Sequence, residues 1–316
     1  MPTAVVFHDT PIAETIREET ATLDVIDADT ESAVRESLGD GDIFVTNPKG
    51  WSDSFLQHLS DGGWVQATSI GYAAFPVSEF RERGITFTNA ATIHDAVVSE
   101  HALALALALS RQLAPSMQQQ REHVWDRHVS AEAWDWKGRR MTVFGLGNIG
   151  EAVARRGEAF GLEVMGVKRT PSTYTGTLDR HSVVATEDLH DVLPSTDLLV
   201  LTVPLTEDTH HAIDAEVLDA LPDSAVLVNV ARGSVVDEQA LVTALQNGGV
   251  GGAGLDVFET EPLPADSPLW GRDDVIVTPH IGGRSKDFPA RFTRLFVDNY
   301  DRWRDGRALA NTVSQD

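Results

Sequence analysis

The chain has 316 residues, 42% of them apolar, which is enough for more than one core, and it carries a formal charge of −23 from 48 acidic and 25 basic side chains. So acidic a surface argues against a nucleic-acid or anionic-membrane partner, and a chain without cysteine has no disulfides, thiolate catalysis or cysteine-ligated zinc. No apolar run reaches the roughly 18 residues that cross a bilayer, and the first residues show neither a basic leader nor a cleavage site, so a cytoplasmic protein is expected.

In chain order, short apolar runs stand at residues 4–7, 43–46, 65–68 and 85–88. They are bounded by Gly, Asp and Pro and separated by polar helical stretches, which predicts buried parallel strands with helices between them. Residues 97–111 include a strict Ala/Leu alternation after His101. Alternation suits a strand, but Ala and Leu are strong helix formers, and the pattern predicts a buried helix linking two domains. Ser99 with Glu100 marks a helix start nearby. Residues 112–137 are polar yet hold Trp125, Trp134 and Trp136. That predicts an arm packed either on a second subunit or within the chain.

A second series follows, with strands at 141–144, 164–167, 198–202, 225–229, 252–256 and 275–278 and a helix at 151–160. Strands alternating with helices imply an open parallel sheet covered on both faces. An amphipathic helix over 287–305 returns to the first domain. The expected fold is α/β, with two Rossmann-like or flavodoxin-like parallel-sheet domains and an active-site cleft between them. Residues 1–97 plus 286–316 form the substrate domain, and residues 98–285 form the dinucleotide-binding domain.

Gly145-Leu146-Gly147-Asn148-Ile149-Gly150 follows a predicted strand and opens a predicted helix. The first glycine makes the tight turn, the second admits a pyrophosphate to the backbone, and the third lets helix and strand pack closely. The helix N-terminus adds N–H groups and partial positive charge. The next strand ends in Lys168-Arg169-Thr170, where an acid would grip a free ribose 2′-hydroxyl. Two cations and a hydroxyl suit a 2′-phosphate instead, so NADP(H) is preferred, with NAD(H) possible.

Arg232 follows a strand at the carboxyl edge of the second sheet, and a guanidinium can hold a carboxylate in two-pronged geometry. Glu261 lies in a turn and His280 just after a strand. An imidazole titrates near the working pH and can pass a proton to and from a carbonyl oxygen. A neighbouring carboxylate favours its protonated form. Taken singly, each has an ordinary reading as a surface charge, a solvated acid and a structural histidine. His210-His211 lacks a third partner for metal, so no metal is expected. His101 reads as a packing or hydrogen-bonding residue, and His94 as a loop residue.

The chain resembles the D-2-hydroxyacid dehydrogenases over residues 64–283. The resemblance is carried by the glycine turn, Pro204-Leu205-Thr206-Glu207-Asp208-Thr209, Asn229-Val230-Ala231-Arg232-Gly233, the segment 254–263 and Thr278-Pro279-His280-Ile281-Gly282-Gly283. It implies that Arg232 binds the substrate carboxylate and oxo group, that His280 is the acid/base and that Glu261 holds it protonated. Ser69-Ile70-Gly71 resembles the family's substrate loop, whose N–H groups take the carboxylate. Asp256 would orient the nicotinamide amide. Val203, Pro204, Thr209, Val230, Ala231, Gly282 and Gly283 would line the cofactor cleft. A homodimer joined through the cofactor domain is implied, with a small 2-oxo or 2-hydroxy acid as substrate. The departures are Lys168, where an acid is usual, and Tyr72-Ala73 after Gly71, where many members have a small apolar residue and Asp.

Other proteins resemble this chain as well. Non-catalytic, NAD(P)-sensing corepressors carry partner-binding features not evident here. Formate dehydrogenases place Gln where Glu261 stands. Phosphoglycerate dehydrogenases often carry a regulatory domain, so glyoxylate/hydroxypyruvate or bulkier 2-oxo acid reduction is the narrower expectation. Only Lys49, Lys137, Lys168 and Lys286 are lysine. Acid excess with so little lysine resembles haloarchaeal proteins, in which salt screens self-repulsion over about 3 Å at roughly 1 M. An ordinary acidic enzyme is the alternative.

Overall fold

A computed structural model describes residues 1–39 and 42–313. The chain forms two compact units. One is Met1–His94 together with the segment that starts at Ser285, and the other is Asp95–Arg284.

The first unit contains β1 (Thr3–Phe7), α1 (Ile12–Glu19), β2 (Asp24–Asp27), α2 (Glu31–Leu38), β3 (Ile43–Thr46), β4 (Trp64–Ala67), α3 (Val77–Glu82) and β5 (Thr86–Thr88). The strands form one parallel sheet in the order β2-β1-β3-β4-β5. β3 and β4 are buried on both faces, which explains their unbroken apolar runs. β2 escapes the sequence reading because it is an edge strand with only Val25 and Ile26 between two aspartates. The closing helix, Phe288–Arg304, stacks Phe296 on the fully buried Trp64, with centroids 5.2 Å apart.

The second unit contains α4 (Asp95–Ser110), α5 (Leu113–Glu122), β6 (Arg140–Phe144), α6 (Asn148–Ala159), β7 (Glu163–Val167), β8 (Val183–Val184) and α7 (Leu189–Val192). It continues with β9 (Leu198–Leu201), α8 (Ala215–Asp219), β10 (Val226–Asn229), α9 (Glu238–Asn247), β11 (Gly252–Leu255) and β12 (Val275–Val277), before the closing helix, α10. Its sheet runs β12-β11-β10-β9-β6-β7-β8, and every pair is parallel. The winding reverses between β6 and β9, the place where open α/β sheets bind ligands.

α4 seats directly on this sheet. A Cβ at Gly254 would stand 2.9 Å from Leu105 Cβ, so a small residue on β11 is what lets the Ala/Leu helix approach. The helix begins at Asp95, four residues before Ser99. Ser99 is buried and spends its hydroxyl on the Ala96 carbonyl, an internal helical contact rather than a cap. The tryptophans of the following arm differ in burial. Trp136 is buried and donates to Ser110 Oγ at 2.8 Å, and Trp134 packs beneath the Arg139 guanidinium. Trp125 is 89% exposed, and α5 buries no residue.

Candidate active site

Six strands of the second sheet deliver residues to one edge. Gly145 follows β6, Lys168 follows β7, Thr202 follows β9, Val230 follows β10, Asp256 follows β11 and Thr278 follows β12. Because all the strands are parallel, every carboxyl end faces the same way.

At the glycine turn, Gly145 has φ +106°, which disfavours a side chain. The Thr202 hydroxyl donates to the Gly145 carbonyl at 2.6 Å and ties the turn across the β6/β9 switch. A Cβ at Gly150 would lie 1.8 Å from the Gly145 carbonyl oxygen, so helix and turn touch backbone to backbone. A Cβ at Gly147 would meet nothing within 4 Å, and no side chain caps α6. An open, uncapped helix start lined by Asn148 and Ile149 fits a dinucleotide pyrophosphate. Val203 is buried beside this turn. Thr209 accepts from the Thr206 N–H at 2.8 Å and donates to the Pro204 carbonyl at 2.6 Å, so its hydroxyl shapes the loop.

Lys168 is half-buried, while Arg169 and Thr170 are exposed. The Lys168 N–H donates to the Val184 carbonyl at 3.0 Å, so this end of β7 is held by β8. Among the described residues, neither cation makes an ion pair.

Arg232, Glu261 and His280 sit on the loops after β10, β11 and β12. Asn229, almost fully buried, accepts from the Ala231 N–H at 3.0 Å and donates to the Arg232 carbonyl at 2.9 Å. Gly233 presses against the Phe258 backbone, where a Cβ would have 1.8 Å of room. This brings the Arg232 loop to the loop that carries Glu261. Burial draws the Arg232 guanidinium below its usual value, and the Glu261 carboxylate partly offsets that. Glu261 accepts from the Phe258 N–H at 3.2 Å, and its other oxygen lies 2.7 Å from His280 Nδ1. The imidazole is about half exposed, so Nδ1 is engaged while the ring stays accessible.

His280 has φ +53°, a left-handed conformation that is uncommon outside glycine and characteristic of constrained loops. Asp256 supplies the constraint. Its backbone carbonyl accepts from the His280 N–H at 2.8 Å. Its carboxylate accepts from Thr278 Oγ1 at 2.6 Å, Ile281 N at 2.9 Å and Gly282 N at 2.8 Å. His101 Nε2 lies 3.3 Å from the same carboxylate and 2.9 Å from Thr278 Oγ1. Burial by itself would raise the Asp256 carboxyl, but the bonds from His101, Thr278, Ile281 and Gly282 outweigh it and hold the group below the usual carboxylate range. Asp256 therefore braces the His280 loop, and a nicotinamide amide would have to share oxygens already used. Asn229, Thr278 and His101 were not singled out for this role by the sequence. His101 is seven residues into α4 and reaches the loop only through the packing of helix on sheet.

His210 and His211 stack at 4.0 Å, and His211 Nε2 pairs with Glu259 at 2.7 Å. Among the described residues, no group of three or more His, Cys, Asp or Glu is placed to hold a metal. In the first unit, Ser69 donates to the Gly71 carbonyl at 2.7 Å, and the Ile70 carbonyl accepts from Asn89 Nδ2 at 2.9 Å. Tyr72 is exposed and meets Phe87 edge-on.

The family model for the D-isomer specific 2-hydroxyacid dehydrogenase NAD binding domain matches residues 103–282. A glyoxylate reductase of Korarchaeum cryptofilum is 34% identical over 255 residues, covering 80% of this chain and 76% of that protein. A solved D-isomer specific 2-hydroxyacid dehydrogenase family protein from Aeromonas salmonicida superposes with a TM-score of 0.85 at 32% identity, covering 100% of this chain and 99% of its own. An NADPH-dependent glyoxylate/hydroxypyruvate reductase from Sinorhizobium meliloti, solved with NADP and malonate, gives a TM-score of 0.77 at 33% identity, covering 99% of this chain and 97% of its own.

Proposed function

The chain belongs to the D-isomer specific 2-hydroxyacid dehydrogenase family and is an oxidoreductase acting on 2-hydroxy acids, and from that premise we propose an NADPH-dependent 2-oxo acid reductase with His280 as its acid/base. The observation that carries the reading is the 2.7 Å contact between His280 Nδ1 and Glu261, beside a half-buried Arg232.

In this reading Arg232 grips the substrate carboxylate and oxo group by charge-assisted hydrogen bonds. Glu261 holds a proton on Nδ1 and fixes the ring plane, so His280 Nε2 donates to the substrate oxygen as it becomes an alcohol and recovers the proton in the reverse direction. Ser69, Ile70 and Gly71 are the carboxylate-binding loop of the first unit. Gly145, Gly147, Asn148, Ile149 and Gly150 would hold the pyrophosphate, with Lys168, Arg169 and Thr170 at the 2′-phosphate. The chemistry supplied by the bound dinucleotide is hydride. Relatives named for glyoxylate and hydroxypyruvate favour a short 2-oxo acid. Lys168 and Arg169, which make no ion pair among the described residues of a chain of charge −23, favour NADPH over NADH.

No helix among the described residues is long and apolar enough to cross a membrane. The exposed Leu113, Met117, Val124 and Trp125 favour a homodimer through this unit. The acid excess favours salt adaptation, and the midpoint of thermal unfolding should climb steadily from low to multimolar KCl. A flat profile would sink that part of the reading.

His280→Gln should lower kcat for glyoxylate reduction by about 10²–10⁴, the usual worth of a positioned general acid. NADPH binding, followed by its fluorescence, should be retained. Near-normal turnover in this variant would remove His280 from the mechanism.

A further inference from the structure

Glu151 is the residue immediately after the glycine turn, and its carboxylate does not point to solvent alone. The Tyr174 hydroxyl donates to one oxygen at 2.7 Å. The Thr177 hydroxyl and backbone N–H donate to the other at 2.7 and 2.5 Å. Leu178 N–H in turn donates to the Tyr174 oxygen at 2.9 Å. The phenol ring is 4% exposed and belongs to the same apolar cluster as Leu146 and Val153. The fit leaves no slack, because a Cβ at Gly176 would lie 2.3 Å from the Glu151 carboxylate and 2.4 Å from the Tyr174 hydroxyl.

The contact is locked against titration. Burial and then the Glu151 hydrogen bond push the Tyr174 phenol up to about 12. Burial acts to raise Glu151, but the Tyr174 and Thr177 donors and Arg155 outweigh it and lower its carboxyl. Phenol and carboxylate therefore keep their donor and acceptor roles across the physiological range.

The latch bears on Lys168, Arg169 and Thr170. This stretch is held on one side by β8, through the Lys168 N–H bond to Val184. On the other side a compact turn, with Thr173 N–H on the Thr170 carbonyl and Tyr174 N–H on the Pro171 carbonyl, leads straight into the latch. The two cations thus sit on a segment tied at one end to the sheet and at the other to the first turn of α6. We infer that Tyr174 and Glu151 are positioning residues for coenzyme choice, fixing Lys168, Arg169 and Thr170 relative to the glycine turn so that a 2′-phosphate is recognised. The inference rests on the NADPH reading and adds that charge alone does not set the preference.

The test uses two probes that differ by one phosphate, 2′,5′-ADP and 5′-AMP, titrated against the full-length protein at constant high KCl. Tyr174→Phe keeps the ring and removes the hydroxyl. It should weaken 2′,5′-ADP about tenfold, the loss expected for one hydrogen bond to a charged group, leave 5′-AMP within about twofold, and keep kcat at saturating NADPH. Thr177→Val, which leaves the tyrosine in place, should move the same ratio in the same direction. If either variant weakens both probes equally, or neither, the latch is structural and the inference falls. Replacing Lys168 and Arg169 together with Ala separates the two layers. If that double variant leaves 2′,5′-ADP binding untouched, the NADPH reading fails and takes the latch with it. If it abolishes the preference while Tyr174→Phe and Thr177→Val do nothing, only the latch fails.

Discussion

In both sheets the winding reverses beside the first strand, yet the turns that follow those strands are built differently. β1 lies between β2 and β3, and β6 lies between β7 and β9 with β8 added outside β7; in each sheet the first strand has its successor on one side and the return of the winding on the other, so β1 corresponds to β6 and β2 to β7. β1 runs into His8, Asp9, Thr10 and Pro11, and side chains fill the turn. His8 Nδ1 accepts from the Thr10 N–H at 3.0 Å, and its ring stacks on Phe288. β6 runs into a glycine turn with open space over Gly147. The neighbouring strands differ in sign as well. β2 ends at Asp27, with Asp29 two residues on, where β7 leads into Lys168 and Arg169. Winding decides where a ligand could lie. Side-chain volume and charge at the turn decide whether an anion is admitted.

Three substitutions would break or sharpen that contrast. The largest effect is expected at Gly150. Ala there would drive a methyl into the Gly145 carbonyl, and separating α6 from β6 should cost about 3 kcal/mol or more in chemical denaturation. An unchanged denaturation midpoint would mean that the close approach is not needed for folding. Gly147→Ala should do the reverse. With φ at −89° and no neighbour within 4 Å, stability should stay within about 0.5 kcal/mol, while KM for NADPH rises about tenfold or more as the methyl enters the ligand's space. Equal loss in both properties would erase the distinction between room kept for packing and room kept for a phosphate.

The smallest effect belongs to the filled turn. Burial pushes the His8 imidazole below its ordinary value of 6.5, with Asp9 opposing. The folded form therefore binds its proton later than the unfolded chain. The neutral-ring contribution is full above pH 6.5 and is lost as the pH falls from there through the depressed folded value. The slope is at most about 1.4 kcal/mol per pH unit for one proton. His8→Gln should flatten the stability–pH curve of the protein in that window. An identical curve would show that His8 does not titrate with folding.

The parts of the fold readable from sequence were those in which one level of structure dominates. β3, β9 and β10 are buried on all faces and announce themselves as apolar runs. β2 and β8 do not, because an edge strand needs few apolar residues and β8 has only two residues. The start of α4 was hidden because Ser99, a residue type that often caps helices, is instead buried in the second turn. At the candidate site, the residue types suited to hydride-transfer chemistry were visible in the sequence. The brace behind them was not. Asp256, Thr278 and His101 meet only because β11, β12 and α4 are packed together, and their separations of 22 and 177 residues carry no local signal.

Glu261 and His280 lie 19 residues apart in the chain but belong to loops leaving neighbouring strands, β11 and β12. Much of the excursion between them is outlying: Pro264, Ala265 and Asp266 are exposed, whereas Leu269 and Val275 are buried. The dyad's geometry is set at the roots of the excursion, so its apex is free to drift in length and composition. For an engineer, residues 264–266 are a place to splice in a reporter or a tether close to the Glu261–His280 pair without re-aiming it.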